Sequence, residues 1–276
     1  MADKSSDISI SATTPAVPIH KRRCVIIPSH NSGPEFVQLV RKVLAVWQPV
    51  IVVIDGTTDG SDEPVSRLTD KEPGLHVLTN HSHSGRGVSI FSAFNHAIDN
   101  GFTHAAVFDA DGQNDTGNLQ QFMEVSQKNP HALIMGVPQF GPETPKWRIL
   151  GHRVADFFAK LETLRCDFDS SLFGLRVYPL YSALKIMQKM HGGYHDDFDT
   201  HMAVRLAWHN YPMVRLPAKA LPPRKPRTRV MGKLGHFLLV AYAHGFLLIR
   251  SMTRWPQVIL QRIRRPHPFD VVRNRD

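Results

Sequence analysis

The chain has 276 residues, of which 42% are hydrophobic and 21% charged, with a formal net charge of +9. That supports one substantial core with room for an appended element, and the positive excess points to an anionic partner such as a nucleotide, a phospholipid surface or a nucleic acid. Cys24 and Cys166, without a C-x-x-C pair, argue against a disulfide framework or a zinc site and fit a reducing compartment, and no apolar run reaches the ~18 residues that a membrane-spanning helix needs.

Residues 1–20 are rich in Ser, Thr, Ala and Pro and lack the apolar stretch of a signal peptide, so they read as a disordered lead-in. Cys24–Pro28 (CVIIP) is a first buried strand, running into the polar turn Ser29–Gly33. A helix is expected over about 34–47, with Pro34 in its first turn. Val50–Ile54 (VIVVI) is a second strand that ends in Asp55 and a loop of Gly and hydroxyl residues. After a short helix, His76–Leu78 forms a third strand. The triplet Gly85-Arg86-Gly87 then precedes a helix over about 88–100, where glycines let backbone N–H groups approach phosphate oxygens and Arg86 adds a fork of donors.

The centre of the chain is Ala105–Asp115, AAVFDADGQND. A short apolar run ends in Asp109 and Asp111, and Gly112 lets the backbone turn just beyond them. Open α/β sheets bind ligands at the carboxyl ends of their strands, so an Asp-x-Asp pair there offers oxygen ligands suited to Mg²⁺ or Mn²⁺, which would in turn neutralise a diphosphate. The alternation of strands and helices over the first 115 residues argues for a doubly wound, nucleotide-binding sheet. Asn31, Asp55 and the Asp109/Asp111 pair, each at a strand end, would converge on one cleft.

Downstream, a helix over Asn118–Gln127, a strand over Ala132–Val137, a Pro- and Gly-rich loop over Pro138–Lys146 and a basic, aromatic helix over about 147–165 are expected. Asp167–Pro179 reads as a loop entering a strand that carries Arg176, and a helix follows over about 180–190. Gly192–Asp199 is a tight acidic turn before a helix over Thr200–His209, and Val214–Leu216 is a last short strand. The basic, Pro-rich segment Pro222–Arg229 reads as an extended loop. Beyond it, an apolar stretch, Phe237–Ile249, lies between Lys233 and a series of arginines. Two amphipathic helices with basic ends fit either packing on the core or a membrane interface. Trp255 and Phe269 beside arginines give thin support for nucleic-acid binding, and no recognised module accompanies them.

An Asp-x-Asp at a strand end serves two enzyme classes. One is a phosphatase of the haloacid dehalogenase type, with Asp109 as nucleophile and Asp111 as general acid; that motif expects Thr or Val where this chain has Gln113. The other is a nucleotide-sugar transferase. A sugar nucleotidyltransferase would need a Gly-rich loop that is missing after Cys24–Pro28, and a non-catalytic protein binding an anionic surface is the remaining reading.

The motifs taken together resemble inverting GT-A glycosyltransferases of family 2. CVIIPSHNSG is similar to that family's opening strand, VIDGTTDGS to its nucleotide-binding segment, GRG to its G-K-G and FDADGQND to its D-A-D-G-Q-H-D. LETLRCDFDSSLFGLRVYPL and DDFDTHMAVRLAWHNYPMVRLP resemble the dolichol-phosphate mannose synthase-like branch, nearest to bacterial members encoded beside lipid acyltransferases. The resemblance implies an α/β fold, a GT-A (Rossmann-like) mixed sheet with helices on both faces. The C-terminal amphipathic helices would follow it. The implied domains are a lead-in over 1–20, a transferase domain over 21–221 and a basic, amphipathic membrane-interface segment over 222–276.

Carried over by residue, the resemblance implies that Pro28, Asn31, Asp55, Arg86, Asp109, Ala110, Asp111 and Gln113 bind the donor, a GDP- or UDP-linked sugar. Asp109 and Asp111 would hold Mg²⁺ or Mn²⁺, Asp111 the more directly. Asp197 and Arg176 would be catalytic, and Arg153, Arg176 and Asp199 would face the acceptor. The acceptor would be a lipid or polyprenyl phosphate, with the protein cytoplasmic and peripheral at the inner face of the membrane, and no nucleic acid partner. An alcohol acceptor would need a base, for which Asp197 and Asp199 stand in position, whereas an anionic phosphate acceptor would need none. The chain departs from the family pattern at Ser32, Ile54, Arg86, Phe173 and His201.

Overall fold

The computed structural model describes residues 22–165, 168, 172–190, 192, 195, 197–222 and 233–264. The expected lead-in over 1–20, most of the basic loop Pro222–Arg229, and Cys166 lie outside the described residues.

Six elements carry the first half: β1 (Arg23–Ser29), α1 (Phe36–Val46), β2 (Val50–Asp55), the short α2 (Glu63–Ser66), β3 (Leu75–Asn80) and α3 (Arg86–Asp99). The second half continues with β4 (His104–Val107), α4 (Asn118–Lys128), β5 (Leu133–Phe140), α5 (Lys146–Thr163), β6 (Arg176–Pro179), α6 (Leu180–Met187), α7 (Phe198–Trp208), β7 (Met213–Ala220) and α8 (Lys233–Arg264). They form one seven-stranded sheet in the order β3-β2-β1-β4-β6-β5-β7. The pairs among β1, β2, β3 and β4 are parallel. β6 runs antiparallel to both β4 and β5.

The apolar runs make the central strands because both of their faces are covered. Successive side chains of a strand point to opposite faces. Cys24 and Ile26 therefore pack with Ile90, Phe94, Tyr178 and Phe198. Val25 and Ile27 pack on the other face with Phe36, Val40, Leu119 and Phe122. A buried Arg23 ties β1 to α4, donating from Nε to Ser126 Oγ at 2.7 Å and from Nη2 to the Ser126 carbonyl at 3.0 Å.

Several elements differ from the sequence reading; β3 extends to Leu75–Asn80, and β5 runs on to Phe140, into the expected loop Pro138–Lys146. Helix α3 starts at Arg86, so only Gly85 of the Gly-Arg-Gly triplet precedes it. β7 is longer than the expected Val214–Leu216, because it pairs with β5 from Leu133↔Met213 to Phe140↔Ala220. Its exposed Arg215 and Lys219 and its Pro217 disguise it, a pattern that an edge strand tolerates. Finally, the tail forms one 32-residue helix where two were expected, with Pro256 inside it.

Helix α8 packs on α5 and α7. It buries His244, Leu247, Ser251 and Val258. Its other side exposes Tyr242, Ile249, Met252, Ile259, Leu260 and Ile263. The described residues leave this apolar face uncovered. No helix among the described residues is long and apolar enough to cross a membrane.

His104 opens β4, buried, with Nε2 2.9 Å from the Pro130 carbonyl. Burial lowers its pKa to about 4, against the Pro130 bond and with help from Arg23. The unfolded imidazole takes its proton near pH 6.5. The folded one stays neutral until pH 4, so its contribution is present above pH 6.5 and lost as pH falls through 4. His201, held at about 3 by burial and Arg205, acts in the same direction. The melting temperature is therefore expected to drop on acidification from pH 6.5 to 4. His104→Gln should remove on the order of 2–3 kcal/mol of that dependence; an unchanged slope in this variant would refute the assignment.

Candidate functional site

The loops after β1, β2 and β3 fasten to one another at the carboxyl edge of the sheet. Asn31 adopts a left-handed backbone, φ 49°. Its Oδ1 accepts from Thr58 N at 2.8 Å and Asp59 N at 3.3 Å. Asp59 Oδ2 in return accepts from Gly33 N at 2.9 Å.

Asp55, at the end of β2, is buried and fully engaged. It accepts from Asn80 Nδ2 at 3.0 Å, Ser84 N at 3.0 Å and Gly85 N at 2.9 Å. His83 Nδ1 lies 2.9 Å from the same carboxylate. Burial pushes the Asp55 pKa up, but the bonds from Asn80, Ser84 and Gly85 and the nearby His83 outweigh it and hold the group below the usual carboxylate range. The carboxylate thus anchors the loop that delivers Gly85 and Arg86. The rings of His30 and His83 stack at 3.9 Å beside it.

Arg86 joins the two acidic segments. Its Nη1 lies 2.6 Å from Asp109 Oδ1 and its Nε 2.9 Å from Asp199 Oδ2. Nη2 is buried and has no hydrogen-bond partner among the described residues. Burial alone would lower the pKa of the guanidinium, but Asp109 and Asp199 raise it above its ordinary value, so Arg86 is a fixed positive charge. Tyr178 Oη, 3.3 Å from Asp199 Oδ1, completes the arrangement on β6. Asp199 therefore does not cap α7, which it enters in the first turn.

Asp109 Oδ2 lies 3.4 Å from Asn114 Nδ2, and a side chain at Gly174 would collide with this carboxylate. Gly112 takes φ 73°, the turn that the sequence reading required. Asp111 accepts from Gln113 N at 3.0 Å and Gln113 Nε2 at 2.5 Å. Arg148, from the first turn of α5, donates to Gln113 Oε1 and stacks over Phe140 at 5.7 Å. The Gln113 carbonyl accepts from Leu221 N at 2.7 Å, which fixes this turn to the end of β7. Ala110 lies half-buried between the two carboxylates.

The structure thus gathers Asp55, Arg86, Asp109, Ala110, Asp111, Gln113 and Asp199 at one edge of the sheet, with Asn31 fastening the neighbouring loops. It leaves others out. Arg176 is fully buried within β6, donating from Nε to the Phe173 carbonyl at 3.2 Å and from Nη1 to the Asp199 carbonyl. It is a buried residue that fastens β6 to α7. Arg153 is exposed. It sits about 140° around α5 from Arg148 at ~100° per residue, so it does not share that residue's approach to Gln113. Pro28 is buried in β1 opposite Val53. Asp197 precedes α7 with Oδ2 3.3 Å from His201 Nε2, and its Oδ1 is buried with no hydrogen-bond partner among the described residues.

Arg148, Tyr178, Asn114 and Gly174 were not singled out as site residues from sequence. For Tyr178 the signal was its two-residue spacing from Arg176 on a strand, which puts both on one face. Arg148 carried no signal beyond membership of a basic helix.

Among the described residues, no group of three or more His, Cys, Asp or Glu side chains could hold a metal ion. Asp109 and Asp111 remain as oxygen donors, and Asn114 Oδ1 beside them is buried with no partner among the described residues. This donor set fits a hard cation held by one or two carboxylates, with waters and substrate phosphates supplying the rest.

A family model described as Glycosyl transferase family 2 matches residues 24–174, more than half of the chain. Several solved structures are similar. Glucosyl-3-phosphoglycerate synthase from Mycobacterium tuberculosis, in complex with Mn²⁺, UDP-glucose and phosphoglyceric acid, is 10% identical, with 81% of this chain and 79% of that chain covered and a TM-score of 0.57. The mannosyltransferase PcManGT from Pyrobaculum calidifontis, in complex with GDP-Man and Mn²⁺, is 16% identical, covering 87% and 73%, with a TM-score of 0.54. S. aureus TarS 1–349, in complex with UDP, is 15% identical, covering 88% and 72%, with a TM-score of 0.51. At such identities the likeness is one of fold. The expected α/β arrangement, a mixed sheet with helices on both faces, is the one observed. No curated protein matches the chain significantly.

Proposed function

The chain belongs to glycosyl transferase family 2, and on that premise we propose that it moves a hexose, with inversion, from a UDP- or GDP-linked sugar to a lipid or polyprenyl-phosphate acceptor. The reading includes a divalent cation, Mg²⁺ or Mn²⁺, and membership of the dolichol-phosphate mannose synthase-like branch. The observation that carries it is the Arg86 fork between Asp109 and Asp199, beside Asp111 at the end of the central strands. The arrangement holds a permanent cation and three carboxylates at the strand ends, where a sugar diphosphate would lie.

Arg86, a fixed cation between Asp109 and Asp199, would stabilise the charge that develops as the sugar–phosphate bond breaks. Asp109 and Asp111 would hold the cation, which supplies further neutralisation of the leaving diphosphate when bound. Asn31 and Asp55 keep the base-side loops in place, and Gln113 with Arg148 steadies Asp111. Asp199 is occupied by Arg86 and Tyr178, which leaves Asp197 as the base for an alcohol acceptor. A phosphate acceptor, already anionic, requires none.

The membrane partner rests on α5 and α8. Trp147, Leu150, Phe157 and Leu161 form an exposed stripe on α5, and the outer face of α8 adds Ile249, Met252 and Ile263. Apolar side chains flanked by arginines suit an anionic bilayer surface. On this reading residues 21–221 are the transferase domain and 222–276 the interfacial segment, at the inner face of the cytoplasmic membrane.

A thermal-shift panel of GDP-mannose, UDP-glucose and UDP-GlcNAc with and without Mn²⁺ tests the donor class. At a ligand concentration of about 100 Kd, the right donor should stabilise by roughly 2.7 kcal/mol, and more with the cation than without. No shift with any donor would overturn the reading.

A further inference from the structure

One of the two carboxylates that Arg86 grips is also a candidate ligand of the divalent cation. Arg86 Nη1 sits 2.6 Å from Asp109 Oδ1, with the two side chains only 12% and 23% exposed. Asp199 Oδ2 holds Nε at 2.9 Å, which keeps the guanidinium over Asp109 and out of solvent. The other Asp109 oxygen faces Asn114 Nδ2 at 3.4 Å and abuts Gly174. A metal ion that reaches Asp109 therefore meets a guanidinium already bound to it.

A second guanidinium faces the acidic pair at longer range. Arg148 donates to Gln113 Oε1, and Gln113 Nε2 donates to Asp111 Oδ2 at 2.5 Å. Burial lowers the pKa of Arg148, and the charge of Asp111 raises it back toward its ordinary value. Like charges a few ångströms apart in a half-buried site repel far more than they do in water. The same positive charge attracts a diphosphate. Arg86 thus raises the affinity of this site for an anion and lowers it for a divalent cation.

We propose that Arg86 is a built-in competitor of the divalent cation for Asp109, so that the cation binds weakly until a nucleotide diphosphate has entered. This deepens the transferase reading and rests on it for the identity of the two ligands. A diphosphate brings oxygen ligands and negative charge that the two carboxylates alone do not supply. The binding order that results is nucleotide first, cation second. By linkage, the factor by which the nucleotide tightens the cation is the factor by which the cation tightens the nucleotide.

The test titrates the full chain with Mn²⁺ alone, reading the free ion by electron paramagnetic resonance. UDP and GDP binding is read separately by thermal shift with divalent cations chelated. Without nucleotide, Arg86→Gln should bind Mn²⁺ about tenfold or more tightly than the parent. The same variant should bind the nucleotide about tenfold or more weakly. Arg86→Lys keeps a charge beside Asp109 and should hold Mn²⁺ within about threefold of the parent. Arg41→Gln, an exposed charge elsewhere, should leave both affinities unchanged. Because Gln strands two carboxylates, the double variant Arg86→Gln, Asp199→Asn is made as well; it removes a buried pair together and keeps the net charge. It should still bind Mn²⁺ at least about threefold more tightly than the parent, since the competitor at Asp109 is gone. Mn²⁺ affinity no higher than the parent's in the folded variants, or no Mn²⁺ binding by any form, overturns the proposal. Failure of the parent to bind either nucleotide overturns the transferase reading instead, so the two failures are separately visible.

Discussion

Asp111→Asn is expected to lower sugar transfer by about 10²–10³-fold and to raise the Mn²⁺ concentration needed for half-maximal rate. The substitution keeps the shape of the side chain and removes its negative charge. If Asp111 holds the cation, the loss falls on the stabilisation of the departing diphosphate, where a single preorganised group is worth roughly that factor. Asp109→Asn should cost a similar factor for a second reason. Arg86 would lose the carboxylate 2.6 Å away and keep only Asp199, so the fork would no longer be pinned at both ends. Arg86→Lys provides the contrast: it retains the charge but cannot span Asp109 and Asp199 with separate nitrogens. The check is a steady-state rate with the donor that stabilises the protein, measured across a Mn²⁺ titration for each variant. An Asp111→Asn enzyme with a rate within tenfold of the parent and an unmoved Mn²⁺ midpoint would remove the cation from the account. Such a result would leave Arg86 as the main source of charge stabilisation.

Breaking the Glu162–His244 pair should produce the largest loss of stability. Glu162 is wholly buried on α5, and His244 is 1% exposed on α8, with Oε1 and Nδ1 2.8 Å apart. Burial pushes the Glu162 carboxyl up, while the hydrogen bond and charge of His244 pull it back down. Among the described residues neither Glu162 Oε2 nor His244 Nε2 has a hydrogen-bond partner, so each residue depends on the other. Removing one partner of a buried pair strands the other, at a cost of about 3–5 kcal/mol. For His244→Ala this corresponds to a fall in Tm on the order of 10 °C. The double variant Glu162→Leu, His244→Leu should recover much of the loss, because apolar replacement of both members of such a pair is often neutral. A calorimetric double-mutant cycle measures this; strictly additive losses would show that the two side chains do not depend on each other. Hydrogen exchange should locate the damage in α8, whose attachment to the rest of the chain runs through α5 and α7.

Much of the architecture could be read locally. Apolar runs such as CVIIP and VIVVI are buried on both faces, so a short window of sequence specifies them as strands. The Asp-x-Asp pair followed by Gly112 was legible for the same reason: a strand end, a turn and two carboxylates are all set within a few residues. Edge strand β7 was harder. Only part of its surface is buried, and its length is dictated by pairing with β5, a partner some 80 residues away in the chain. The single helix α8 was hidden by Pro256, whose missing N–H usually ends a helix.

Sequence alone determined the parallel half of the sheet, the loops at its carboxyl edge and the acidic pair at its centre, because each depends on neighbours along the chain. Only the tertiary structure decided what the charged groups do. Arg176 and Arg86 look alike as arginines beside apolar strands, yet one is sealed inside β6 and the other bridges Asp109 and Asp199. The charge of each is the same in any fold. Its partners and its access to a ligand depend on elements separated by up to 113 residues, and a contact of that span is fixed only when helices and sheet have packed.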